Sequence, residues 1–367
     1  MARFEDVFSD ETKRGCKIQT SEYLSVGEYP VIDQGQTQIA GYTDLEDGVF
    51  TDVPAIVFGD HTRIVKYVDS PFFLGADGVK VLKAKVDGTD YKYLFYCLQN
   101  AKIPNTGYNR HFKWLKEVDI PLPPPEEQHR IAALLDKVSN LIAKRRAQLD
   151  KLDLLVKARF MVMFGDPVLN PMKWPEQPLE NMADIVSGIT KGRKTKETEL
   201  IEVPYMAVSN VKDGYIDWTT VKTIFATKSE IEQYHLLPDD VLMTEGGDPD
   251  KLGRGAIIQQ PLENCIHQNH IFRVRLDEKI LLPSYFAEFL QHQKAKQYFL
   301  RCAKQTTGIA SINMRQLKGL PTLVPPIEIQ VHFNDFLEKT RQSKLTIQQS
   351  LDKLEILKKS LMQKYFG

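Results

Sequence analysis

The chain has 367 residues, with 48 Lys plus Arg balanced by 48 Asp plus Glu. Such a length accommodates two domains with their own cores, and zero net charge excludes a uniformly basic nucleic-acid coat while leaving room for local basic surfaces. No apolar run approaches the roughly 20 residues of a bilayer span, and the opening MARFEDVFSDETKRG lacks a secretory apolar stretch.

Residues 1–120 read as a first mixed α/β unit. Strands are expected at VPAIVFGD (53–60) and GVKVLKAKV (78–86), where alternation is clearest, and a helix around 91–99, punctuated by DG turns. GDHTRIVK (59–66) brings His61, Arg63 and Lys66 together after a strand, and NTGYNRHFK (105–113) joins a Thr-Gly turn to Arg110 and Lys113. Polar turns of this kind suit contacts to phosphate followed by a positioned base reader. A turn that simply closes the unit onto the next helix fits the same residues.

Residues 121–165 read as a long helix. Prolines and an acid at 123–126 suit a helix start. Apolar residues then recur in steps of four and three at Ile131, Leu135, Val138 and Ile142, and again at Leu149, Leu152 and Val156, with Arg145 in the missing place. That is the narrow seam of a coiled coil. The stretch 136–159 also carries seven basic residues against three acids, a possible binding face or an ordinary solvated one.

Residues 166–322 form a second mixed unit, with strands at DDVLMTEGG (239–247) and HIFRVRL (270–276) and a helix over 283–300. TKGRKTK (190–196) packs Lys191, Arg193, Lys194 and Lys196 into one loop, able to neutralise phosphates and offer a guanidinium to a guanine edge. Arg254, with Lys251, is the counterpart of the Arg63 region. TTGIASINMR (306–315), with Thr307 and Arg315, matches 105–113. Tyr108, Tyr205, Tyr215 and Trp218 are available for stacking, with core packing preferred for Tyr205. His235, His267 and His270 lack ligand spacing and read as structural or incidental. Cys16, Cys97, Cys265 and Cys302 lie far apart without metal spacing and read as reduced, mostly buried cytoplasmic thiols.

Residues 323–367 repeat the helix, with Phe333, Leu337, Ile347, Leu351, Leu354 and Leu361 in the same rhythm and Thr340, Lys344 and Lys358 in three of its places. LDKLDLLVKARFMVMFG (149–165) returns as LDKLEILKKSLMQKYFG (351–367), an offset of 202 that also aligns Pro123-Pro124 with Pro325-Pro326 and Gln128 with Gln330. YLFYCLQ (93–99) echoes YFAEFLQ (285–291) at another offset. The chain is a duplication: variable unit, helix, variable unit, helix. Two seams too narrow to make cores alone pack most simply on each other, antiparallel, each about 50 Å long for about 35 residues. Dimerisation of the protein through these helices is the alternative.

Phosphate-loop, nucleophile-elbow, zincin and adenosylmethionine signatures are missing, which tilts the reading toward a binding protein. The pattern as a whole resembles the specificity subunit of type I restriction-modification systems. PLPPPEEQHRIAALLDKV, LVPPIEIQVHFNDFLEKT, the FGDP and FG endings, LENMADIVSGITKGRK and DDVLMTEGG carry the resemblance. The first unit lacks the Gly-x-Thr element of 188–190.

The resemblance implies two pseudo-twofold-related target-recognition domains in a mixed α+β chain, separated by an antiparallel pair of long coiled-coil helices. Each domain would read half of a split, asymmetric DNA target, the helices holding the readers about 15 base pairs apart. The chain would be non-catalytic and cytoplasmic. Its partners would be double-stranded DNA, two adenine methyltransferase subunits and endonuclease/translocase subunits, with S-adenosylmethionine, ATP and Mg on those partners and none here. A coiled-coil adaptor that assembles proteins without DNA is the competing function.

Overall fold

Two unbroken helices, Pro125–Phe164 and Ile327–Phe366, each of 40 residues, fall within the expected segments. Pro125 occupies the first helical position, where its missing N–H costs nothing, and Glu126, Glu127 and Glu328 lie at the positive ends of the helix dipoles. Both FG endings are C-caps. Gly165 and Gly367 sit at φ +76° and +88°, and their amides donate to the carbonyls of Met161 (3.0 Å) and Gln363 (3.1 Å). A side chain would strain that left-handed turn, so the repeated glycine closes both helices.

The computed structural model describes residues 1–75, 77–194, 199–248, 252–306 and 309–367. They form two compact units, Met1–Gln148 with Ile347–Gly367, and Leu149–Thr346. In the first, a four-stranded antiparallel sheet runs in the order Phe8–Asp10, Val79–Ala84, Ala55–Gly59, Val65–Val68. Beside it lie Gly41–Thr43, Tyr29–Ile32 and Phe73–Leu74, the last pair parallel, and a short ladder of Ala2–Arg3 with Asp119–Ile120.

The second unit repeats this plan. Its four strands are Ala183–Ser187, Ile271–Leu276, Val241–Thr244 and Gly255–Ile257, again antiparallel. Its three are Lys222–Ala226, Ile201–Met206 and Ile266–His267, the last pair again parallel, and its ladder is Glu176–Pro178 with Pro321–Leu323. An extra small sheet, Gly246–Gly247, Ile309–Ser311 and Lys304–Thr306, has no counterpart among the described residues of the first unit. The expected helix over 283–300 is two helices, Pro283–Gln291 and Gln293–Cys302, because His292 adopts extended backbone at ψ 161°.

In each unit the core is closed by the start of one long helix and the end of the other. Ile131, Ala132 and Leu135 share the first core with Met362, Leu361, Tyr365 and Phe366, around Phe4, Phe58 and Tyr93. Val156, Phe160 and Phe164 share the second with Phe333, around Leu179, Val274 and Phe289. The Phe333 ring lies 5.7 Å from Phe160 and 5.3 Å from Phe164, and Phe366 lies 5.2 Å from Tyr93. The helices therefore pair antiparallel in both units.

Along the seam Ile131, Leu135, Val138, Ile142, Val156, Phe333 and Leu351 are buried, and Leu149, Leu152, Leu337, Ile347, Leu354 and Leu361 half-buried. Its polar places are accommodated in turn. The Thr340 hydroxyl donates to the Phe336 carbonyl, Lys344 pairs with Asp153, and the Lys358 ammonium lies over the Tyr96 ring. Arg146 and Glu355 pair at 2.6 Å beside the seam.

The repeated glutamine, legible as a match but not in its role, fastens each helix start to its unit. Gln128 accepts from the Asp90 amide (3.1 Å) and donates to the Pro123 carbonyl (2.8 Å). Gln330 accepts from the Leu282 amide (2.8 Å) and donates to the carbonyls of Pro325 (2.8 Å) and Ile280 (3.1 Å). Asp90 and Leu282 are the N-caps of Tyr91–Gln99 and Pro283–Gln291, so the same amide orders the same helix in both copies. Tyr93 and Tyr285 add matching bonds to the carbonyls of Pro121 (2.9 Å) and Leu323 (3.1 Å). Gln330 is fully buried. Its replacement by Leu strands a buried N–H and two carbonyls, and urea unfolding should register a loss of about 1–3 kcal/mol. The exposed Gln297→Leu should stay within about 0.5 kcal/mol of the parent.

Candidate nucleic-acid interface

In the first unit the hairpin after Ala55–Gly59 closes through Gly59 N–H to the Ile64 carbonyl (2.8 Å), with Arg63 at φ +63°. The buried His111 ties the 105–113 segment to it. His111 N–H donates to the Asp60 carbonyl (2.8 Å), and the Asp60 carboxylate accepts from the Phe112 amide (2.7 Å). Gln34 holds the other side, accepting from the His61 amide (3.1 Å) and donating to the Asp77 carbonyl (3.0 Å). The segments around His61 and Tyr108 thus form one surface, and those two rings stack at 4.6 Å and 7°, with Tyr108 85% exposed.

Arg110 and Lys113 are exposed on this surface, Lys113 lying 4.3 Å over the Trp114 ring. Arg63 is half-buried and donates to the Ile103 carbonyl at 3.3 Å. Lys66 corrects the sequence expectation. It is 3% exposed on the strand Val65–Val68, its ammonium 3.3 Å from Asp33, and burial holds its pKa below the usual lysine value. It is a buried charge pair out of a phosphate's reach.

In the second unit three segments converge by backbone bonds. Thr244 N–H donates to the Arg254 carbonyl (3.1 Å), Glu245 N–H to His270 (3.0 Å), and Ile312 N–H to Glu245 (2.8 Å). Asn269 N–H donates to Ile189 (3.1 Å), Ile189 N–H to His267 (2.9 Å), and the Ser187 hydroxyl to Asn269 (2.6 Å). The loop at 188–194, the hairpin after Val241–Thr244 and the 309–315 segment are therefore neighbours. Gly188 makes this possible, since an added methyl would overlap the His267 carbonyl.

Lys191, Lys194 and Arg315 are exposed there, Arg315 in the first turn of Met314–Lys318. Arg193 is instead a strut: its guanidinium engages both Glu230 carboxylate oxygens and the Phe225 carbonyl (3.2 Å). That pairing holds the Glu230 pKa below the ordinary value and anchors the loop to Lys228–Tyr234, so Arg193, expected as a base reader, is engaged within its own unit. Arg254 is half-buried. Thr307, Lys196 and Lys251 lie outside the described residues. Tyr205 is buried, its hydroxyl donating to the Ile189 carbonyl, while Tyr215 is exposed and Trp218 packs on a core cluster.

The two surfaces share one hydrogen-bond frame. Asp60 N–H donates to the Gly78 carbonyl (2.7 Å) as Glu245 N–H does to His270, and His111 N–H reaches Asp60 as Ile312 N–H reaches Glu245. Gly59 to Ile64 repeats as Thr244 to Arg254. The first hairpin is shorter than the second, so no single offset in the sequence reveals the correspondence. Among the described residues no His, Cys, Asp and Glu group could hold a metal ion, and no helix is long and apolar enough to cross a membrane.

With this duplicated frame in view, the comparisons with known proteins are consistent. The type I restriction modification DNA specificity domain matches residues 1–152 and 171–356, and the chain belongs to that family. The EcoKI specificity subunit of Escherichia coli (strain K12) is 24% identical over 225 residues, 58% of this chain and 48% of that protein. The EcoR124I/EcoR124II specificity subunit of Escherichia coli is 23% identical over 344 residues, 88% of this chain and 81% of that protein. The chain spans about half the length of the EcoKI protein and of a Methanocaldococcus jannaschii relative, the putative MjaX specificity subunit. The type I S subunit from M. genitalium shares the fold at a TM-score of 0.62 and 17% identity, over 100% of this chain and 95% of that one.

His267, which carries the carbonyl that receives the Gly188–Ile189 turn, is fully buried. Burial pushes its pKa down to about 4, against the carbonyls of Val186 and Tyr234 beside its ring nitrogens. Unfolding frees the imidazole to take a proton at its ordinary value near 6.5, so this stabilisation is complete above pH ~6.5 and is lost as pH falls toward ~4. His267→Gln should remove a drop on the order of 2–3 kcal/mol over that window in pH-resolved denaturation.

Proposed function

We propose that the chain is a non-catalytic reader of double-stranded DNA, each unit recognising one half of a bipartite asymmetric target. The observation that carries this reading is the shared hydrogen-bond frame, which presents a stacked His61–Tyr108 pair in one unit and quite different exposed groups in the other. Repeated backbone with unlike end groups is what two unlike half-sites require. Family membership supports it.

In this reading Arg63, Arg110 and Lys113 serve the first half-site and Lys191, Lys194, Arg254, Arg315 and Thr307 the second, with Arg193 keeping its loop in place. The matched long helices, with like sequences at both copies, suit docking of two adenine methyltransferase subunits and of endonuclease/translocase subunits in a type I restriction-modification complex. Those partners would hold S-adenosylmethionine, ATP and Mg, and the assembly would work in the cytoplasm. The adaptor alternative gains no support from the two reader surfaces.

Salt dependence separates the two. A reader that neutralises about six phosphates should show log K falling against log salt with a slope near −5. Lys194→Ala and Arg315→Ala should each reduce that slope by about one, with similar losses on every sequence. A flat salt response in fluorescence anisotropy would leave the adaptor standing.

A further inference from the structure

The shared frame sets Glu245 where the first unit has Asp60, yet the two acids do different work. Asp60 is 4% exposed and spent on the Phe112 amide at 2.7 Å. The Glu245 carboxylate instead lies 2.6 Å from His270 Nδ1, with 32% of its side chain and 56% of the imidazole exposed. The backbone of Glu245 is held independently of this pair, bonded on both sides, to His270 and to Ile312. The geometry of the pair is itself defined. His270 Nε2 faces the Asn269 amide at 3.4 Å, and the Asn269 carbonyl is held by Ser187 at 2.6 Å.

A partly exposed carboxylate on a surface that also presents Lys191, Lys194 and Arg315 works against phosphate binding, so affinity is not its purpose. What it adds to a surface of donors is an acceptor. In the major groove the matching donors are the exocyclic amino groups of cytosine and adenine, whereas guanine N7 and O6 and thymine O4 would meet the carboxylate lone pair to lone pair.

We propose that Glu245 is a specificity-determining residue of the second reader, accepting a hydrogen bond from a base amino group, with His270 as the positioning residue that aims it. The proposal rests on the DNA-reading function above and adds the base chemistry of one position. In the first reader the equivalent acid, Asp60, is 4% exposed, and the surface presents the Tyr108–His61 stack.

The test is selection of bound duplexes from a randomised library by the full chain, followed by sequencing, for the parent, Glu245→Ala, His270→Ala and the exposed control Glu263→Ala. The parent should select a bipartite motif with cytosine or adenine at one position of one half. Glu245→Ala should relax preference at that position by about tenfold and leave the other half unchanged. His270→Ala should relax the same position less, with the melting temperature of both variants at the parent's value. An unchanged motif for Glu245→Ala overturns the proposal, as does a loss of preference accompanied by a lowered melting temperature. A parent that selects no motif overturns the DNA-reading function itself, and the proposal with it.

Discussion

The packing of Phe333 against Phe160 and Phe164 is the contact on which the rest depends. A single heptad seam is too narrow to complete a core alone, and the clusters around Tyr93 and Phe160 each draw on both long helices. Each core is completed by two helix segments, one that follows its own sheets and one that ends the other long helix. The first unit meets the same demand with Ile131, Met362 and Phe366 around Tyr93. This fits the likeness of the duplicated helices at their ends, where 149–165 returns as 351–367 and Gln128 as Gln330: one end of each helix supplies side chains to one core and its other end to the other core.

Once the cores are so closed, the reader loops are free to differ. The hydrogen bonds that hold them, from Ile312 to Glu245 and from His111 to Asp60, run between backbone atoms and make little demand on side chains. Chemistry can therefore be exchanged at His61, Tyr108, Glu245 and His270 while the frame persists. The buried clamps, Gln128 and Gln330 among them, are where exchange would be costly.

The helices were legible because their signals are local: a three-four apolar rhythm, prolines at the start, glycine at the stop. The strands expected at 53–60, 78–86 and 270–276 rest on equally local patterns and contain the observed strands. What the chain hides is pairing over distance. Lys66 looks like a free cation until Asp33 meets it, and Arg193 like a base reader until Glu230, 37 residues on, engages one edge of its guanidinium with both carboxylate oxygens. Glu245 and His270 carry no local signal, since their likeness to Asp60 and Gly78 emerges only when two hairpins of different length are superimposed through hydrogen bonds. The assembled surface around His61, Tyr108 and Arg110 was foreshadowed by the matched Thr-Gly turns, but not the ring stack that organises it.

The most direct measurement of the central claim is a double-mutant cycle on Phe160 and Phe333, which lie 173 residues apart in the chain and 5.7 Å apart between rings. Unfolding free energies of Phe160→Ala, Phe333→Ala and the double variant should reveal a coupling of about 1 kcal/mol, beyond what each truncation costs alone. Additivity within about 0.3–0.5 kcal/mol would mean that the two helix ends do not share a core, and would contradict the account.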